Sequence, residues 1–177
     1  MTANPRKKRL PHHHAAAFRE AGHAVAAWDR SVMLMPVSIF TTGKGAGRNV
    51  WNDPLRNVDF RWVRNADSSA LVERLASVLL AGPLAEDSFG PGVPKGTASV
   101  ERLREARTLL HAVSRGAAGK KACYERARGK TGKFLTQPRV MEAVAALAAV
   151  LLDRGTILGV EAVSIIEEHL GRRREKR

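Results

Sequence analysis

Glu20 and His23 stand three positions apart in the stretch FREAGHAVAAW, residues 18–28. On a helix that spacing puts them on one side, about a turn apart. It is also part of His-Glu-x-x-His, in which two histidines at i and i+4 aim their ring nitrogens at one zinc ion. The glutamate beside the first histidine then faces the metal-bound water as a general base. The register here reads Arg19, Glu20, Ala21, Gly22, His23. The base position and the second ligand are in place, but the first ligand is an arginine. A guanidinium is charged at every working pH and has no lone pair to give. Taken alone, Glu-x-x-His on an alanine-rich helix is more often a surface glutamate beside a packed histidine than a site.

The elements that must position these residues follow from periodicity. Pro11 suits the first turn of a helix, and His12 to about Arg30 contains no breaker except Gly22, with Phe18, Val25 and Trp28 on one face. VMLMPVSIF is β-prone but holds Pro36, which favours an edge strand. TTGKGAGR (41–48) is a glycine-rich turn and NVWN a returning strand, so 32–52 reads as a small hairpin or three-stranded element. Residues 66–90 read as a helix capped by Ser68 or Ser69, with Leu71, Leu75, Val78 and Leu79 as its buried stripe and Gly82-Pro83 as a point of division. Residues 97–116 form an amphipathic helix through Leu103, Ala106, Leu110 and Val113. The lysine-rich, glycine-interrupted run 117–135 reads as a mobile or weakly helical connection. Residues 137–155 and 159–171 close the chain as a helical hairpin over a short TIL link.

The predicted fold is mainly α with one small β-hairpin or edge-strand element. A basic disordered tail (1–11) precedes a single domain (12–171), and a second basic tail (172–177) follows it. A chain of 177 residues suits one domain. Alanine and leucine dominate the apolar set and aromatics make up only 5%, which favours helix packing over a sandwich.

The charge is +13, from 30 Lys+Arg against 17 Asp+Glu, much of it in RKKRL (6–10) and RRREKR (172–177). Such an excess attracts acidic partners or nucleic acid and says nothing about fold. The single cysteine, Cys123, excludes an internal disulfide and any CxxC metal site, which fits a reducing cytoplasm. No apolar run reaches the roughly 20 residues of a membrane span, and no apolar region follows the basic N-terminal stretch as in a signal peptide. A soluble, cytoplasmic protein is expected. YERARGKT (124–131) ends like a phosphate-binding loop but has Tyr124 at the first glycine position. The chain leaves no length for an ATPase module, so any ATP dependence would come from a partner.

AAAFREAGHAVAAW (15–28) resembles the zinc helix of the FtsH-type peptidase domain, the proteolytic half of the membrane-bound AAA proteases. In that family the run is close to Ala-x-His-Glu-Ala-Gly-His-Ala-Val. LLAGPLAEDSFG (79–90) is similar to the family segment Leu-x-Gly-Gly-x-Ala-Ala-Glu-x-x-x-Phe-Gly, which backs the metal site. TASVERLREARTLL (97–110) stands where the family has a threonine-rich turn, then Asn-Asp, then a helix. ALAAVLLDRGTILGVEAV resembles its last two helices. The resemblance covers about residues 12–170, with the motifs in order and at similar spacing.

The resemblance implies a zinc metalloendopeptidase domain, with Glu20 as its base and His23 as a ligand. The third ligand of the family is the aspartate. Aligning Leu103 and Ala106 places Arg102 there, and Glu101 at the asparagine. Of three ligands only His23 is retained; Glu101, Glu105 or His111 would supply one more, not two. His12 lies 11 residues before His23, about 16 Å along a helix. No cofactor is therefore expected, and zinc only through substitute ligands. The implied function is a pseudo-peptidase, a module that binds peptide or protein, acidic chains included, or regulates a partner. The strand carrying Val37 and Ile39 would hold an extended peptide by β-addition beside a shallow cleft between Arg19, Glu20, His23 and segment 99–105. With no metal, a carboxylate among Glu20, Glu101 and Glu105 should pair with Arg19 or Arg102. Two alternatives stay open: an active zinc endopeptidase with substitute ligands, and a basic protein that binds nucleic acid through its tails. Against the latter stand the few aromatics and the lack of any helix-turn-helix, RNP or zinc-finger signature.

Overall fold

The computed structural model describes residues 11–40, 66–89 and 97–171. Six helices and two short strands lie among them: α1 (Pro11–Asp29), β1 (Val37–Ser38), α2 (Ala66–Phe89), α3 (Thr97–Ala112), α4 (Gly116–Leu135), α5 (Pro138–Arg154), β2 (Thr156–Ile157) and α6 (Gly159–Leu170). The chain is mainly helical with a small antiparallel sheet, as its periodicity predicts. No single described helix is long and apolar enough to cross a membrane.

The α1 and α2 helices form the centre. From Ala15 to Ala27 every residue of α1 but half-buried Phe18 is buried, mostly alanine. Small side chains let two helix backbones approach closely. At Gly22 a Cβ would lie 2.5 Å from the Ala85 methyl and 2.8 Å from the Ala81 carbonyl oxygen. The helices therefore cross in backbone contact where α1 carries Gly22 and α2 carries Ala81, Gly82 and Ala85. On the far side of α1 pack α5 and α6. α5 buries Val140, Ala143, Val144, Leu147, Ala148 and Leu151, a stripe at three- and four-residue spacing.

Four expectations are corrected. The α2 helix runs unbroken through Pro83, which is itself buried. Proline removes one backbone donor, and the burial of Leu75–Glu86 around it outweighs that loss. The helix also starts at Ala66, so Ser68 and Ser69 lie within its first turn and not at the position before it. Residues 116–135 are a regular helix, not a connection. Cys123, Tyr124, Ala127, Thr131 and Leu135 fall on one face and are buried, and tertiary burial overrides the low propensity of its glycines. Finally, β1 pairs with β2, Val37 opposite Ile157 and Ser38 opposite Thr156. The TIL link is thus a strand and not a bare connection. The returning strand expected at 49–52 and both basic tails lie outside the described residues.

The segment after α1 doubles back along it. Ser31, in the left-handed region at φ 59°, breaks the helix. By Phe40 the chain has returned to the first turns of α1, where Phe40 meets His13 edge-on with ring centres 6.3 Å apart. Gly155, at φ 78°, ends α5, and a side chain there would strike the Phe40 ring.

Candidate functional site

The crossing of α1 and α2 fixes which polar groups meet. One turn before Gly22 on α1 stand Arg19 and Glu20; one turn after Gly82 on α2 stands Glu86; Ser99, in the first turn of α3, closes the third side. All are removed from solvent: Arg19 is 8% exposed, Glu20 5%, His23 2%, Glu86 3% and Ser99 0%. Charged side chains are rarely buried without partners, and these are partnered with one another. Arg19 Nε donates to Glu20 Oε1 at 3.1 Å, and its other arm reaches Glu86 Oε2 at 3.5 Å. The Ser99 hydroxyl donates to the same Glu86 oxygen. One guanidinium thus bridges two carboxylates from two helices, and a hydroxyl ties in the third.

Arg102, half-buried on α3, completes the group. Its charge acts on both Glu20 and His23, and its own guanidinium is bonded to Glu105 Oε2 at 2.7 Å. Arg19, Glu20 and His23 of α1 therefore lie near enough to Arg102 of α3 to feel its charge, but they are buried in the helix crossing and do not line the shallow cleft expected for them. Both arginines pair with carboxylates, though Arg19 chooses Glu86 besides Glu20. Glu101 is exposed on α3.

Burial raises the Glu20 carboxyl above its ordinary value, against the opposing pull of Arg19 and Arg102, with Glu86 adding to the rise. Burial also lowers the His23 imidazole to about 3, helped by Arg102 and Arg19 and resisted by its bond to Val78. His23 is therefore neutral. Its Nδ1–H donates to the Val78 carbonyl at 2.7 Å, which leaves Nε2 as a bare acceptor. That atom is buried without a hydrogen-bond partner, and the ring lies face-on against Gly82, where a Cβ would stand 2.2 Å from Nε2.

These residues do not fit a catalytic zinc. Glu20 and Glu86 each commit an oxygen to Arg19, and two guanidinium charges flank the position a cation would need. Among the described residues no group of three or more His, Cys, Asp or Glu side chains converges in the manner of a metal site. His13 packs on Phe40 and the His12 side chain lies outside the described residues. His111 sits nine residues beyond Arg102, about 13 Å along α3. Val37 and Ile39 turn buried side chains into the core, and their strand edge is taken up by β2, with Val37 opposite Ile157 and the Ile39 N–H donating to the Gly155 carbonyl at 3.0 Å.

No protein-family model matches the chain, and no curated protein is significantly similar to it.

Two members of the cluster, Glu86 and Ser99, escape sequence reasoning. The signal for Glu86 is its place at the end of the apolar run LLAGPLAE, since a charge in such a run needs a buried partner. Ser99 stands three residues before Arg102, on the same side of α3.

Proposed function

We propose that this chain is an FtsH-peptidase-like domain in which a buried ion-pair cluster has taken the place of the metal, and that it works by binding peptide or protein segments without cutting them. One observation carries the reading: Arg19, at the first-ligand position, is buried and bonded to Glu20, the residue that would serve as base. The Glu20 oxygen that a base would turn towards a reacting water is instead committed to a guanidinium 3.1 Å away. The helix crossing is then put to structural use, and the remaining surface does the work. The net charge of +13 favours acidic or mixed-charge segments as partners.

The test is binding of a labelled, unfolded acidic chain such as reduced casein, followed by anisotropy, alongside an assay for cleavage. Binding without cleavage, unchanged in Glu20→Gln, agrees with the proposal. Absence of binding to any unfolded chain contradicts it.

A further inference from the structure

We infer that α4 is a docking surface for duplex nucleic acid, bound through its phosphates and without base readout. This surface is separate from the peptide-binding reading and does not depend on it. The α4 helix carries Lys120, Lys121, Arg126, Arg128, Lys130 and Lys133 against a single acid, Glu125. Because the segment is helical, these charges are arrayed on a rigid rod of 20 residues, about 30 Å long. Lys121 and Arg128 lie on one flank, and Arg126, Lys130 and Lys133 on the other at i, i+4 and i+7. Arg107 on α3 joins the first flank, lying over the Tyr124 ring at 4.8 Å. Arg126 reaches Glu73 at 3.4 Å, while Lys121, Arg128, Lys130 and Lys133 make no ion pair among the described residues.

The composition of the exposed face decides among polyanionic partners. Every exposed position of α4 is Gly, Ala, Lys or Arg, with Glu125 the one exception. A protein partner would need a large apolar or aromatic anchor at the middle of the contact, and the exposed apolar residues of α4 are alanines alone. Insertion at a membrane surface needs an outward apolar face, whereas that of α4 is spent on the core. Single strands bind by stacking on exposed aromatics, and Tyr124 is buried. What remains is charge alone over a length of several phosphates. Gly119, Gly129 and Gly132 have nothing within 4 Å of their Cβ positions, so on this surface a backbone of phosphates can approach the helix closely. Glycines and like charges at i, i+4 both weaken a helix, and phosphate contact would relieve the second cost.

The test uses the full chain with labelled 20-base-pair DNA and RNA duplexes, measured by anisotropy across a salt series. The expected result is binding to both, with affinity falling steeply with salt. The variant Lys121→Gln/Arg128→Gln/Lys130→Gln/Lys133→Gln should lose about tenfold or more in affinity at 0.1 M salt, with its salt slope shallower by up to about 3.6. Melting temperature checks that it folds, and Lys130→Gln/Lys133→Gln gives the same reading with half the charge removed. A tail variant, Arg172→Gln/Arg173→Gln/Arg174→Gln, serves as the comparison. Three results would each overturn the inference. One is no binding of either duplex at 50 mM salt; another is loss of binding in the tail variant with none in the α4 variants. The third is tight binding of polyglutamate or anionic vesicles without binding of duplex.

Discussion

His23 and Gly82 share one space at the crossing of α1 and α2: a methyl group on Gly82 would stand 2.2 Å from His23 Nε2 and 2.4 Å from its Cε1. Neither partner is free to yield, since the imidazole is anchored by its 2.7 Å bond to Val78 and Gly82 is in mid-helix. Gly82→Ala should therefore destabilise the fold by about 1–3 kcal/mol through overpacking, despite the better helix propensity of alanine. The double variant Gly82→Ala/His23→Ala should recover most of that loss, a coupling that a double-mutant cycle from urea denaturation reads directly. Gly82→Ala with unchanged stability would contradict the close crossing.

The acid limb of stability should belong to His23. Its folded-state value, about 3, lies below the ordinary 6.5, so between these values the unfolded chain binds the extra proton. Stability is then fully present above about 6.5 and is lost as pH falls towards 3, on the order of a few kcal/mol. His23→Gln, which keeps a donor for the Val78 carbonyl, should flatten that limb. Glu20 acts with opposite sign. Its carboxyl is raised above 4.5, so its contribution falls as pH rises from 4.5 through its folded value, and Glu20→Gln should gain on the parent protein over that interval. Denaturation midpoints measured from pH 3.5 to 8 test both.

Removing Arg19 should cost more than removing either acid it holds. Arg19→Met leaves Glu20 and Glu86 buried without their bridging cation, a loss of about 3–5 kcal/mol. Adding Glu20→Gln and Glu86→Gln to it should restore much of the stability, because the uncompensated charges go too. If Arg19→Met unfolds no more easily than the parent, the guanidinium is not the countercharge described.

The helices that form the site were legible because their signals are strong: Pro11 at a start, the alanine-rich run behind it, and leucine stripes in α2, α3 and α5. The grouping of Arg19, Glu20, His23 and Arg102 was legible from motif order. Three things were not. The α4 stripe of Cys123, Tyr124, Ala127, Thr131 and Leu135 is weakly apolar, and glycine and lysine between its members hide the period. The continuity of α2 through Pro83 depends on burial by neighbours that no local pattern reports. The pairing of β1 with β2 joins residues almost 120 apart in the chain, and two-residue strands carry no alternation to read. The role of Glu86 was not legible because its partners, Arg19 and Ser99, stand on other helices, and no local pattern reports which side chains a helix crossing brings together.

Arg19→His with Arg102→Asp exchanges both arginines for the ligands that the resemblance places there. Zinc should then bind, seen as a rise in melting temperature on adding the metal that chelator reverses. Glu86, freed from Arg19, would be left with Ser99 alone, so the variant without metal should melt below the parent. A double variant that folds and is indifferent to zinc would remove the resemblance as a guide to this site.

The zinc content of the purified, unmodified protein tests the central claim most directly. Elemental analysis after equilibration with micromolar zinc should find far less than one ion per chain, because the Arg19 and Arg102 guanidiniums flank the position and the carboxylates are already engaged. One zinc ion per chain, removable by chelator, would contradict the account.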